Sequence, residues 1–162
     1  MKFIIDRCEN LQISDEEIYD LLSLVYVQTR FTSDERAKSI FDPIKVKDRG
    51  VLFASREKST NEFSGMVIVV PPNSSAIVRA KENECEMHLL GVSPSYRGHG
   101  LGRKLVNKAI ELAKDNHWSK MILWTQKPMK EAQKLYESYG FIRTGKMTKS
   151  DIEFLVYEKK LT

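Results

Sequence analysis

Between residues 92 and 104 the chain reads Val92-Ser93-Pro94-Ser95-Tyr96-Arg97-Gly98-His99-Gly100-Leu101-Gly102-Arg103-Lys104. Three glycines in five residues, at the mouth of a helix-compatible run, let successive backbone N–H groups turn toward one point. A helix N-terminus adds positive potential there. This is the chemistry of a pyrophosphate cradle. The basic pair Arg103-Lys104 strengthens the reading. Cations in a first helical turn oppose the helix dipole by roughly 0.3–1 kcal/mol each, a cost that a bound anion offsets. A glycine turn that only redirects the chain leaves that pair unexplained. Two other phosphate motifs fail. A dinucleotide fingerprint begun at Gly98 needs glycine where Arg103 stands and an acid near the position of Lys120. The run Gly140 to Met147 has Met where a P-loop needs Ser or Thr, and it leaves a helix for a strand. Upstream, Glu86, His88 and Leu90 recur at strand period 2, which predicts one shared face.

These residues need elements to hold them. Phe3 and Ile5 alternate within 2–7 and predict a first strand. Ser14 and Glu17 fit the two ends of a capping box, and Ile18, Leu21, Leu22 and Val25 follow at helical spacing, which predicts a helix over 14–30. Thr32 to Glu35 opens a shorter helix to Phe41, which Pro43 ends. Runs 51–56 and 63–70 predict a hairpin, and Pro71-Pro72 breaks its second strand. A strand over 85–92 precedes a helix over 98–116, with Leu101, Leu105, Ala109, Leu112 and Ala113 on one face. A strand follows over 120–125, then a helix with Pro128 at its first position and Gly140 just past its end. Runs 141–144 and 152–157 predict two last strands. Tyr139, Trp118 and Trp124 are read as packing. The order β-α-α-β-β-β-α-β-α-β-β predicts a single α/β domain over 1–162 with a mixed sheet.

At this point the chain resembles a family. Arg97-Gly98-His99-Gly100-Leu101-Gly102 fits the R/Q-x-x-G-x-G/A signature of the GNAT superfamily of N-acetyltransferases. Glu86…Leu90-Gly91-Val92-Ser93-Pro94 resembles that family's fourth strand. Ala132 to Phe141 resembles its A-x-x-L-Y-x-x-x-G-F hallmark. The two hallmarks occur in order and on the expected strand and helix. One departure stands out: many members carry Asn three residues before that Ala, where this chain has Met129.

The resemblance implies a GNAT-like fold, a mixed, central twisted β-sheet flanked by about four helices, with the cofactor cleft between strands 85–92 and 120–125. It implies acetyl-CoA as co-substrate, bound through Leu90, Gly91, Val92, Arg97, Gly98, His99, Gly100, Leu101, Gly102, Arg103 and Lys104. Pyrophosphate would meet the N–H groups of 97–102, the pantetheine arm the edge of strand 85–92, and the 3′-phosphate Arg103 or Lys104. It implies direct acetyl transfer to a primary amine, with Glu86 as general base, His88 as base or water-relay member, the Leu90 N–H facing the thioester oxygen, and Tyr136 as general acid. Acceptor walls in this family come from the 14–41 region and the 71–84 loop.

Composition narrows the alternatives. The 162 residues are 41% hydrophobic and 30% charged, as in ordinary globular chains rather than disordered ones. No run of about 18 apolar residues predicts a membrane span. Residues 1–10 contain Asp6, Arg7 and Glu9 and lack a signal-peptide core, so the expected location is cytoplasmic. Cys8 and Cys85 match no metal spacing and read as reduced thiols, and no metal is expected. Net charge is +4, with 11 basic and 12 acidic residues in 1–80 against 15 and 10 in 81–162. A nucleic-acid patch is one reading of the cationic 97–108 segment, but interleaved glycines and the lack of an aromatic platform disfavour it. The expected partner is a small-molecule or peptide amine, with no nucleic acid and no membrane, and a homodimer stays open. The rival function is a non-catalytic acyl-CoA-binding regulatory module on the same fold.

Overall fold

The computed structural model describes residues 1–27 and 32–161. Seven strands form one sheet: β1 (Phe3–Arg7), β2 (Val51–Glu57), β3 (Phe63–Val70), β4 (Glu84–Val92), β5 (Lys120–Gln126), β6 (Ile142–Lys149) and β7 (Ile152–Lys160). Their order is β1-β2-β3-β4-β5-β7-β6. Every neighbouring pair is antiparallel except β4 and β5. That parallel pair registers only at Glu84↔Lys120, Cys85↔Met121 and Glu86↔Ile122. Beyond Glu86 the two strands part, so the sheet opens into a V between 85–92 and 120–126, where the cofactor cleft was expected.

Helices cover both faces. On one face lie α1 (Asp15–Leu22), α2 (Asp34–Ile40) and α3 (Pro43–Asp48), over a core that includes Ile18, Leu22, Phe41, Val46, Met66 and Ile68. On the other lie α4 (Leu101–Asp115) and α5 (Lys130–Ser138), over Leu101, Leu105, Ala109, Met121, Leu123 and Leu155. Alternate residues of β3 serve the two cores, Val67 and Val69 one, Met66, Ile68 and Val70 the other. That doubly buried apolar run is what a central strand needs.

Several boundaries differ from the sequence-based ones. Ser14 caps α1 in a full capping box with Glu17, but α1 passes at Ser23 into a π-helical turn, Ser23–Val27. The rest of the expected 14–30 helix lies outside the described residues. Pro43 does not end a helix. It begins one, α3, with Asp42 capping the Ile44 N–H, because proline at a first helical position loses no bond. Pro128 sits just outside α5 rather than at its first position, and Met129 is the capping residue. Gly140 follows the α5 C-cap with φ +86°, as expected. The last two strands are longer than predicted and form a hairpin through Ser150 and Asp151, both at positive φ. Among the described residues no helix is long and apolar enough to cross a membrane.

Candidate active site

A β-bulge shapes the inner edge of β4. Ile68 pairs with His88 and Met66 with Gly91, so Leu89 and Leu90 together face Val67. Leu89 takes φ +52°, an uncommon conformation for a branched side chain. The extra residue flips Leu90 to the α4 face, while Leu89 joins the core of α1–α3. The expected shared face of Glu86, His88 and Leu90 therefore ends at His88. The Leu90 carbonyl is held by the Tyr26 hydroxyl, which donates to it at 2.9 Å from the π-helical turn. Burial pushes the Tyr26 phenol up to about 12.

Glu86 is fully buried. Its carboxylate accepts from the backbone N–H groups of Val78 (3.0 Å), Arg79 (2.6 Å) and Ala80 (2.7 Å), and lies 2.9 Å from His88 Nε2. Burial alone would raise its pKa. The hydrogen bonds from His88, Arg79, Ala80 and Val78 outweigh that and hold it below the usual carboxylate range. A carboxylate so occupied anchors the 78–80 loop and orients His88. It does not line the cleft, and it is a poor proton acceptor for a substrate.

His88 does line the cleft. Its Nδ1 lies 3.2 Å from Arg49 Nη1. A guanidinium only donates, so Nδ1 accepts, and Nε2 carries the proton that it donates to Glu86. Burial lowers the His88 pKa, the Glu86 carboxylate works against that, and the Arg49 and Lys149 charges add to the lowering. Trp124, expected as packing, stands edge-on to this imidazole with ring centroids 5.0 Å apart.

His88, Leu90 and Tyr136 line one cavity of about 360 Å³. Phe41, Ala76 and Val78 also line it, from the two regions named above as acceptor walls. Burial drives the Tyr136 phenol well above its ordinary value. Phe141 and Tyr157 pack around its ring. Met129 forms part of the wall, and the Thr125 hydroxyl donates to its sulfur at 3.3 Å. Tyr26, Arg49 and Lys149 also line the cavity, and sequence reasoning missed all three. None lies in a motif, and only the fold brings their segments to β4.

The glycine-rich segment lies past the α4 end of β4. Gly98 and Gly100 take φ +83° and +76°, and a Cβ at either would meet nothing within 4 Å. Their need for glycine is conformational, and the space before them is open. Gly100 caps α4 without a side-chain bond, while the Lys104 N–H bonds back to the Gly100 carbonyl. The N–H groups of Leu101, Gly102 and Arg103 therefore lack helical partners, as a helix start requires. Leu101 buries its side chain, so only its backbone can serve a ligand. Gly102 is different: a Cβ there would stand 3.4 Å from Leu135 and 3.9 Å from Val92, so it is small for packing against α5. Arg97 donates to the Val92 carbonyl at 3.2 Å, Arg103 lies over the Tyr139 ring at 4.8 Å, and Lys104 over Phe3 at 5.9 Å. His99 is exposed.

Comparison with known proteins agrees with this geometry. The chain is 34% identical over 88 residues to an N-acetylaspartate synthetase of Danio rerio, covering 49% of this chain and 31% of that protein. It is 33% identical over 82 residues to the N-alpha-acetyltransferase RimI of Mycobacterium tuberculosis, covering 51% and 50%. The chain thus spans about a third to half of the length of these curated relatives. The paia N-acetyltransferase of Thermoplasma acidophilum, solved in complex with coenzyme A, superposes over 99% of each chain at TM-score 0.72 and 18% identity, a likeness of fold. The model of the acetyltransferase (GNAT) family matches residues 16–141, most of the chain. With this match over most of its length, and with the V-shaped cleft, the bulged β4 and an α4 start free of any side-chain cap, the chain belongs to the acetyltransferase (GNAT) family.

Proposed function

We propose that residues 1–162 form one acetyl-CoA-dependent N-acetyltransferase domain that moves an acetyl group directly to a primary amine, carried by a small molecule or a peptide. The observation that carries the reading is the parting of β4 from β5 beside a helix start that no side chain caps, with two left-handed glycines. The residues fit the co-substrate. The free N–H groups of 101–103 and the open space before Gly98 and Gly100 suit a pyrophosphate. Arg97, His99, Arg103 and Lys104 surround it with exposed positive or protonatable side chains. Leu90, Gly91 and Val92 offer the inner edge of β4 to an extended arm. Two buried free thiols, Cys8 and Cys85, suit a reducing, cytoplasmic setting.

Acetyl-CoA supplies an activated thioester carbon, to which the amine nitrogen bonds as the carbon–sulfur bond breaks. The chain's residues do the rest. His88 Nδ1 takes the amine's proton, and Glu86 fixes the ring from behind as a positioning residue. The Leu90 N–H, at the bulge, steadies the developing oxyanion. Tyr136 keeps its proton throughout the neutral range and donates a hydrogen bond to the departing sulfur. A phenol so weakly acidic stabilises that sulfur more by hydrogen bonding than by full proton transfer. Incubation with acetyl-CoA and an amine library, read by mass spectrometry, tests the reading. Acetylated amines support it. Tight coenzyme A binding with no acetylated product would replace it with the binding-module reading.

A further inference from the structure

Arg49 follows α3 and reaches into the cavity beside His88. Its guanidinium makes two hydrogen bonds among the described residues, Nη1 to His88 Nδ1 and Nη2 to the Ile40 carbonyl, both at 3.2 Å, and the Tyr26 phenol is a further electrostatic neighbour. Neither partner is an anion. Arg56 shows the contrast, since Glu17 meets it at 2.9 Å. A partly buried guanidinium without a carboxylate is costly to desolvate. Arg36 and Lys149 line the same cavity. Arg36 spends one donor on the Ser150 carbonyl, and Lys149 forms no ion pair among the described residues. No Asp or Glu belongs to the described lining. These cations lie apart from the basic residues of the α4 start, which serve the other face of the sheet.

Building on the N-acetyltransferase reading, we propose that the acceptor is an amine bearing a carboxylate close to its nitrogen, and that Arg49 binds that carboxylate. The planar fork of a guanidinium suits a carboxylate in two-point contact. The spacing follows from the geometry. Arg49 Nη1 is 3.2 Å from the nitrogen assigned to take the amine's proton, so a carboxylate that shifts Nη1 only far enough to free that nitrogen lies close to the amine, one or two carbons away. The same hydrogen bond occupies the Nδ1 lone pair. A carboxylate that draws Nη1 away frees the lone pair when a correct acceptor is present. A purely cationic amine meets three positive side chains and leaves Nδ1 engaged.

The test compares kcat/KM for matched acceptors, referred to the free-amine fraction of each. Free amino acids are paired with their carboxamides. Short peptides beginning with Asp are paired with those beginning with Asn. The two sets separate a free amino acid from a peptide as the source of the carboxylate. Wild type is expected to favour the carboxylate member of a pair by roughly a hundredfold. Arg49→Gln should erase that preference, and Arg49→Lys should keep part of it. Equal turnover of both members by wild type, which needs no variant, overturns the inference while leaving an N-acetyltransferase. A preference undiminished in folded Arg49→Gln also overturns it. Absence of acetyl transfer to every amine, with coenzyme A still bound, overturns the N-acetyltransferase reading and the inference with it.

Discussion

His88 stands between opposite charges, Glu86 at Nε2 and Arg49 at Nδ1, and this decides how it titrates. Its folded pKa is lowered, by burial first and by Arg49 and Lys149 next, against the pull of Glu86. A base must be neutral, so kcat/KM should rise with pH along a limb centred below the ordinary histidine value of about 6.5. Arg49→Gln removes a lowering charge and should move that limb upward, which a pH–rate profile of both proteins checks. The stability consequence has a definite sign. His88 is neutral when folded and takes up a proton when unfolded, so stability falls as pH drops below 6.5 toward its folded value. Glu86 acts lower: its folded pKa is depressed, so its contribution is present above 4.5 and is lost as pH falls through the folded value. Replacing Glu86 by Gln places an amide among three backbone N–H donors and should cost about 2–4 kcal/mol, read by denaturant melts at neutral pH. At this scale the sequence was half legible. Period 2 put Glu86 and His88 side by side. It gave no sign that the 78–80 backbone would occupy the carboxylate, because those N–H groups belong to a loop with no periodicity. Tyr136→Phe should lower kcat by roughly a hundredfold with little change in acetyl-CoA affinity, measured by steady-state kinetics and calorimetry.

Elements explain why neighbouring glycines tolerate different changes. Gly100 faces open space but takes φ +76°, so Gly100→Ala should cost about 1–2 kcal/mol in backbone strain and disturb the α4 start. Gly102 is helical with Leu135 at 3.4 Å, so Gly102→Val should push α5 from α4 and cost about 1–3 kcal/mol by overpacking. Both should weaken coenzyme A binding about tenfold or more, near 1.4 kcal/mol. Thermal melts measure the stability cost of each variant, and calorimetric titration its loss of coenzyme A affinity. The glycine spacing was legible before the fold, but the reason for Gly102 was not, because Leu135 lies 33 residues away in sequence. The β4 bulge was equally hidden. In Glu86 to Val92 the Leu89-Leu90 doublet interrupts the alternation, but only pairing with β3 shows one residue too many.

At the scale of the molecule, the sheet divides the work: α1–α3 with the 71–80 loop wall one side, α4 and α5 the other. The element order was readable from hydrophobic period and turn chemistry. The cationic cavity was not, since Arg36, Arg49 and Lys149 come from α2, the end of α3 and the β6–β7 hairpin, distant segments that only tertiary packing unites. Coenzyme A at a hundredfold excess over its Kd should stabilise the fold by about 2.7 kcal/mol, a rise of several degrees in Tm by calorimetry. An unchanged Tm would mean that coenzyme A does not bind the folded chain.

The parting of β4 and β5 also has a mechanical meaning. Four strands on one side and three on the other are stitched by three residue pairs at one end, like a book held at a corner of its spine. Such a seam leaves no ladder between the facing edges of β4 and β5 beyond Glu86, and whatever lies along the gap acts as a clasp. Those amide protons of residues 87–92 and 123–126 that face the gap should therefore exchange with deuterium sooner than those of β2 and β3, and slow together once the gap is filled.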